Sequence, residues 1–87
     1  MYSLYFKKSV KKDLKKIGES ESIRILDAIN KKLLPDPYVG KPLKGQDGEI
    51  WSFRVGEYRV LYNFDNDELV ILIIRIGHRR EVYKGIS

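Results

Sequence analysis

Apolar positions along this chain change period twice. From Tyr2 to Phe6 they alternate, Tyr2, Leu4 and Phe6 against Ser3 and Tyr5, which predicts a short strand. Val10, Leu14 and Ile17 then recur at i, i+4 and i+7 and predict a helix with a narrow apolar stripe. Ser9 reads as its N-cap and Gly18 as its C-terminal stop. Ile25, Ala28, Ile29 and Leu33, flanked by Leu26, make the core face of a second helix that Ser20 or Ser22 caps and Pro35 and Pro37 end. So short a connection makes the two helices an antiparallel hairpin.

Alternation returns at Trp51. In WSFRV, Trp51, Phe53 and Val55 take one face and Ser52 and Arg54 the other. Gly56-Glu57 reads as a two-residue turn with glycine at the first central position, as a type II′ hairpin requires. That turn fixes the register of YRVLYNF: Val55 falls opposite Tyr58, Phe53 opposite Val60, Trp51 opposite Tyr62, and Arg54 opposite Arg59. After Asp65-Asn66-Asp67, LVILIIRI (Leu69 to Ile76) returns as a third strand. The prediction is one α+β domain over residues 1–87: strand, two-helix hairpin, then a three-strand antiparallel meander, with the helices packed on one face of the sheet. Two short helices cover only that face. Leu61, with either Ile71 and Ile73 or Val70 and Leu72, should therefore line an exposed apolar strip on the other, a place for a second protein.

Eighty-seven residues suit one domain with one core. There is no cysteine, so neither a disulfide framework nor a cysteine zinc site is possible, and His78 alone builds no metal cluster. No metal and no cofactor are expected. The longest apolar run, Leu69 to Ile74, falls far short of the roughly 18 residues of a membrane span. Met1 leads straight into strand-like residues and lysines rather than a secretory signal, so a cytoplasmic location is expected. A net charge of +5 points to a polyanionic partner, either nucleic acid or an acidic protein segment.

Charge placement narrows this. Like charges directly across a ladder repel unless an anion sits between them, so Arg54 opposite Arg59 suits a phosphate; the plainer reading has both splaying into water. An up-down-up meander also brings His78, Arg79 and Arg80 to the same edge, with Tyr83 following. Lys44, in the loop from Tyr38 to Gly48, keeps one more cation close. On the first helix, Lys8, Lys11, Lys12 and Lys15 are either a solvated face or a track along phosphates that adds salt-sensitive, sequence-independent affinity.

The segments FKKSVKKDLKKI, KPLKG, IWSFRVGEYRVLY and IGHRREVY, in this order and over essentially the whole chain, resemble the RelE family of bacterial and archaeal toxins within the RelE/ParE superfamily. The resemblance implies a toxin of a type II toxin–antitoxin pair that cuts messenger RNA in the ribosomal decoding site and is neutralised by a small RelB-like antitoxin. By motif position, Arg59 and Arg79 match family arginines at the scissile phosphate, and Tyr83 matches a catalytic tyrosine. Arg54 and Ser52 stand where one well-known member has lysines. Arginine stays protonated and serine carries no charge, so the general base is open between Tyr83 and His78. Arg54, Arg80 and Lys44 would support Arg59 and Arg79 in holding the phosphorane. A ParE-like gyrase poison and a non-catalytic binder of RNA or antitoxin are the rival functions that the same fold allows.

Overall fold

The computed structural model describes residues 1–43 and 50–82. Strand β1 (Ser3–Phe6) leads into helices α1 (Lys8–Ile17) and α2 (Glu19–Ala28), a π-helical turn (Ile29–Leu33) and a 3-10 turn (Pro37–Val39). Strands β2 (Lys41–Pro42), β3 (Trp51–Val55), β4 (Tyr58–Asp65) and β5 (Val70–His78) follow. They form one mixed sheet in the order β1-β5-β4-β3-β2, in which β1 runs parallel to β5 and the other pairs are antiparallel.

The helices cover one face of this sheet. Ile25, Ile29, Leu33 and Val10 bury there against Phe53, Val55, Val60, Tyr62, Ile71, Ile73 and Ile76. Burying one such side chain is worth roughly 1.5–3 kcal/mol, so this cluster is the main source of stability. Trp51, Tyr38, Phe64 and Tyr62 extend it as edge-to-face and stacked rings at the sheet end away from the Gly56 turn.

A β-bulge decides which β5 residues reach the core. Leu61 pairs with Arg75 but Tyr62 pairs with Ile73, leaving Ile74 as the extra residue. Ile71, Ile73 and Ile76 can therefore all face the helices, where strict alternation would have turned Arg75 inward. Past the bulge, Ile76 and His78 share the helix side and Arg75 and Gly77 the open side. Of the two predicted strips on the open face, the structure takes Val70 and Leu72, both half-buried. Leu61 is fully buried rather than exposed, as is Val82 at 1%, and neither belongs to the main cluster.

None of the serines read as caps (Ser9, and Ser20 or Ser22) caps a helix: α2 starts at Glu19 behind Gly18 with no side-chain cap, which puts Ser20 inside it. α1 begins at Lys8 with no side-chain cap, and Ser9 Oγ donates to Ile74 O (3.3 Å). β1 covers β5 only to Ile73. Beyond it Lys7 N donates to Ile73 O (3.0 Å) and Asp13 Oδ2 accepts from Ile76 N (3.0 Å), so α1 satisfies the strand edge that β1 leaves open. Ser22 likewise lies inside α2 and donates to Leu14 O (2.9 Å), tying the helices together. Gly18, at φ 102°, ends α1 and starts α2 alone, in a conformation that strains any residue with a Cβ.

Candidate nucleic-acid interface

The β3–β4 hairpin sets the site. Gly56 takes φ +60°, as the first central residue of a II′ turn must, and locks Arg54 opposite Arg59 and Val55 opposite Tyr58. Val55 buries on the helix side, so both arginines stand on the open face. Neither forms a salt bridge among the described residues. Arg54 Nε donates to Gly56 O (3.3 Å), and Arg59 Nη1 is buried without a hydrogen-bond partner. Two cations directly opposed on adjacent strands repel, and a buried guanidinium nitrogen without a partner adds a desolvation cost.

A cavity of about 490 Å³ opens there, lined by Arg54, Arg59, Ser52, Lys41 and Leu43. Its wall is fixed by Tyr62, whose buried hydroxyl donates to Pro37 O (2.6 Å) and accepts from Gly40 N (3.2 Å). Burial pushes the Tyr62 phenol up to about 12, with the Gly40 N–H pulling the other way and Asp36 adding to the rise. Gly40 lies so close to β3 that a Cβ there would come 2.6 Å from Ser52 O. The chain entering β2 is thereby pinned to the sheet.

Arg79 approaches the same turn from β5. Its backbone N donates to Glu57 O (2.9 Å) and its Nε pairs with Glu57 Oε2 at 3.1 Å. Arg54 and Arg79 thus flank Gly56-Glu57 from two strands, with Arg79 partly neutralised and Arg54 not. Arg80 is exposed, its backbone N donating to His78 Nδ1 (3.3 Å). Glu81 N and Val82 N both donate to His78 O, turning the chain back so that Val82 meets Gly77, the cross-strand partner of Arg59.

His78 sits elsewhere. It pairs with Tyr58, stacks edge-on to that ring at 6.0 Å, and lines a separate cavity of about 210 Å³ with Asp13, Lys16, Arg75 and Glu81. The imidazole and the Arg54–Arg59 pair share one end of the sheet but occupy opposite sides of it. The bulge is the cause. Lys8, Lys11, Lys12 and Lys15 are exposed on α1, in the helix layer, also across the sheet from the arginine pair. Lys44 and Tyr83 lie outside the described residues. Among the described residues no group of three or more His, Asp or Glu could hold a metal ion, and no helix is long and apolar enough to cross a membrane.

Reading the sequence alone misses Lys41. Only the pairing of a two-residue strand places it opposite Ser52, and a Lys-Pro pair carries no strand pattern to announce that.

Residues 4–83 match the family described as the ParE toxin of type II toxin–antitoxin systems, parDE. The chain belongs to this family. Toxin RelG of Mycobacterium tuberculosis is 30% identical over 84 residues, which span 95% of this chain and 97% of RelG. Toxin RelE of the same organism is 31% identical over 74 residues, 84% of this chain and 76% of that one. Among solved structures, the M. tuberculosis RelBE2 toxin–antitoxin complex superposes with a TM-score of 0.82 at 30% identity, covering 90% of this chain and 98% of that one. Isolated Escherichia coli RelE, at TM-score 0.73 and 21% identity over 90% of this chain and 84% of its own, shares the fold. This is therefore a type II toxin of the RelE/ParE superfamily, and its two helices on a five-strand mixed sheet are those of a RelE-like toxin.

Proposed function

We propose that this toxin is an endoribonuclease that cleaves messenger RNA bound in the ribosomal decoding site, and that a small RelB-like antitoxin neutralises it in the cytoplasm. One observation carries the reading: Arg54 and Arg59 stand side by side on the open face, and the buried Arg59 Nη1 has no partner within the described residues. Several structural relatives are toxin–antitoxin complexes, RelBE2 and the RelE–RelB complex of Pyrococcus horikoshii among them, which supports the antitoxin.

Cleavage proceeds by attack of a ribose 2′-hydroxyl on the adjacent phosphorus, giving a dianionic pentacoordinate centre that collapses to a 2′,3′-cyclic phosphate and expels the 5′-oxygen, which takes its proton from solvent. Arg59 and Arg54 hold the non-bridging oxygens, because a planar guanidinium grips phosphate in two places and keeps its charge. They supply the charge stabilisation that a metal ion gives other nucleases. Arg79 enters from the turn side once the RNA draws it from Glu57, with Arg80 adding positive charge; Lys44 keeps the supporting role that the family resemblance implies. Arg54 cannot remove a proton at neutral pH. His78 faces the helices, so we assign that step to Tyr83, which follows Val82 in the chain. A phenol titrates near 10 in water, so base work at neutral pH requires cations close enough to lower that value. The lysines of α1 attract RNA from across the sheet and take no part in the chemistry.

Brief induced expression followed by mapping of message 5′ ends on ribosomes tests this. New ends inside translated codons are expected with the wild type and not with Arg59→Ala. Intact messages accompanied by DNA damage would instead support the second reading, a gyrase poison, which the parDE description of the matching family favours.

A further inference from the structure

Ser52 is an uncharged position within the basic lining of this cavity. It stands on β3 two residues before Arg54, on the same side, and lines the same cavity as the arginine pair. Its cross-strand neighbours are Leu61 on β4 and Lys41 on β2. Directly paired residues on an antiparallel ladder have Cβ atoms about 4.5–5.5 Å apart and project to the same side. Lys41 therefore delivers an ammonium beside the position that Ser52 leaves neutral.

Three features suit Lys41 to a ligand rather than to the fold. Its side chain is exposed and lines the cavity with Arg54 and Arg59. No carboxylate of the described residues pairs with it, whereas the exposed Lys31 is engaged by Asp27 at 3.3 Å. Its backbone is also anchored: the preceding Gly40 is held by the Tyr62 hydroxyl and has no room to move toward β3. A pinned backbone carrying a long cation, unpaired among the described residues, over a cavity is how a protein presents a point charge to a phosphate.

We propose that Lys41 is a third phosphate-contacting cation of this cavity, standing in for the charge missing at Ser52, with the phosphodiester backbone of single-stranded RNA as its ligand. The inference rests on the RNA reading of the site, but it concerns binding and needs no cleavage step. The arginines grip one phosphate as forks. Lys41 adds one further electrostatic contact from the β2 side.

The test uses the full chain and a single-stranded RNA oligonucleotide with 2′-O-methyl sugars, which carries the phosphodiester backbone but offers no free 2′-hydroxyl for attack. Affinity is followed against salt. Lys41→Gln should weaken binding several-fold and lower the slope of log affinity against log salt by about 0.7, the value of one phosphate contact on a single strand. Lys41→Arg should retain both, and Ser52→Lys placed in the Lys41→Gln background should restore them. Lys31→Gln, with the same loss of charge on the helix layer, should change neither. A Lys41→Gln slope equal to that of the wild type would overturn the proposal, as would no rescue by Lys41→Arg. If the wild type binds this oligonucleotide but leaves an all-ribose RNA on ribosomes uncut, the cleavage reading fails and the slope still decides Lys41. Absence of RNA binding by the wild type would overturn both.

Discussion

Arg54 and Arg59 are paired residues of one antiparallel ladder, on the face that the helices leave open, and no described carboxylate lies between them. A fold selected only for stability has no reason to keep them so. Like charges directly opposed on adjacent strands repel, and an unsatisfied buried donor costs about 1–3 kcal/mol.

Function and stability should therefore separate at Arg59. Arg59→Met keeps most of the side-chain volume and removes the buried, unpartnered Nη1. Denaturant unfolding should show a protein as stable as the wild type or more so by about 1 kcal/mol. Cleavage of ribosome-bound message should fall by about 10²-fold or more, as when one oxyanion donor is lost. A variant that unfolds readily and still cuts would contradict both halves.

Glu57 should act as a brake on Arg79. Their ion pair is open to solvent, with side-chain exposures of 48% for Arg79 and 61% for Glu57, so it contributes at most about 1 kcal/mol to the fold. Glu57→Gln should leave the unfolding midpoint nearly unchanged yet tighten RNA binding and steepen its salt dependence, because Arg79 no longer has to leave a carboxylate. Titration of the same oligonucleotide at several salt concentrations measures this. Weaker binding by Glu57→Gln would show that the pair positions Arg79 instead.

Tyr62 should give alkaline pH a specific grip on the fold. Its phenol titrates near 10 when unfolded and at about 12 in the folded protein. Below pH 10 both states hold the proton and its stabilisation is complete. Between pH 10 and 12 only the unfolded state loses the proton, so stability falls as pH rises, by roughly 2–3 kcal/mol across the window. Tyr62→Phe should remove that component of the pH dependence. It should also cost about 1–3 kcal/mol at neutral pH through the unpaired Gly40 N–H and Pro37 carbonyl. Parallel pH–stability curves for the two proteins would refute the assignment.

The same residues mark how far the sequence could be read. A two-residue turn with glycine first has only one register, so the Arg54–Arg59 pairing and its aromatic neighbours follow from local chemistry, as the structure finds. Helix cores were equally plain, since Ile25, Ile29 and Leu33 repeat at the helical period and bury together. The bulge at Ile74 was not legible. Nothing in an unbroken apolar run says where one residue is skipped, and that skip turns His78 to the helix side while seating Gly77 beside Arg59. Ser9 and Ser22 looked like caps because their true acceptors, Ile74 O and Leu14 O, come from tertiary packing. Lys41 stayed hidden for a similar reason: its meaning lies in a pairing with Ser52 that no local pattern encodes.

The central claim is that a phosphodiester occupies the space between Arg54 and Arg59. Nitrogen-15 NMR of the arginine side chains during titration with the 2′-O-methyl RNA oligonucleotide observes those groups directly. Arg59 and Arg54 guanidinium signals should shift together, at one RNA concentration and ahead of the α1 lysines. Shifts confined to Lys8, Lys11, Lys12 and Lys15, with both arginine signals unmoved at saturation, would contradict it.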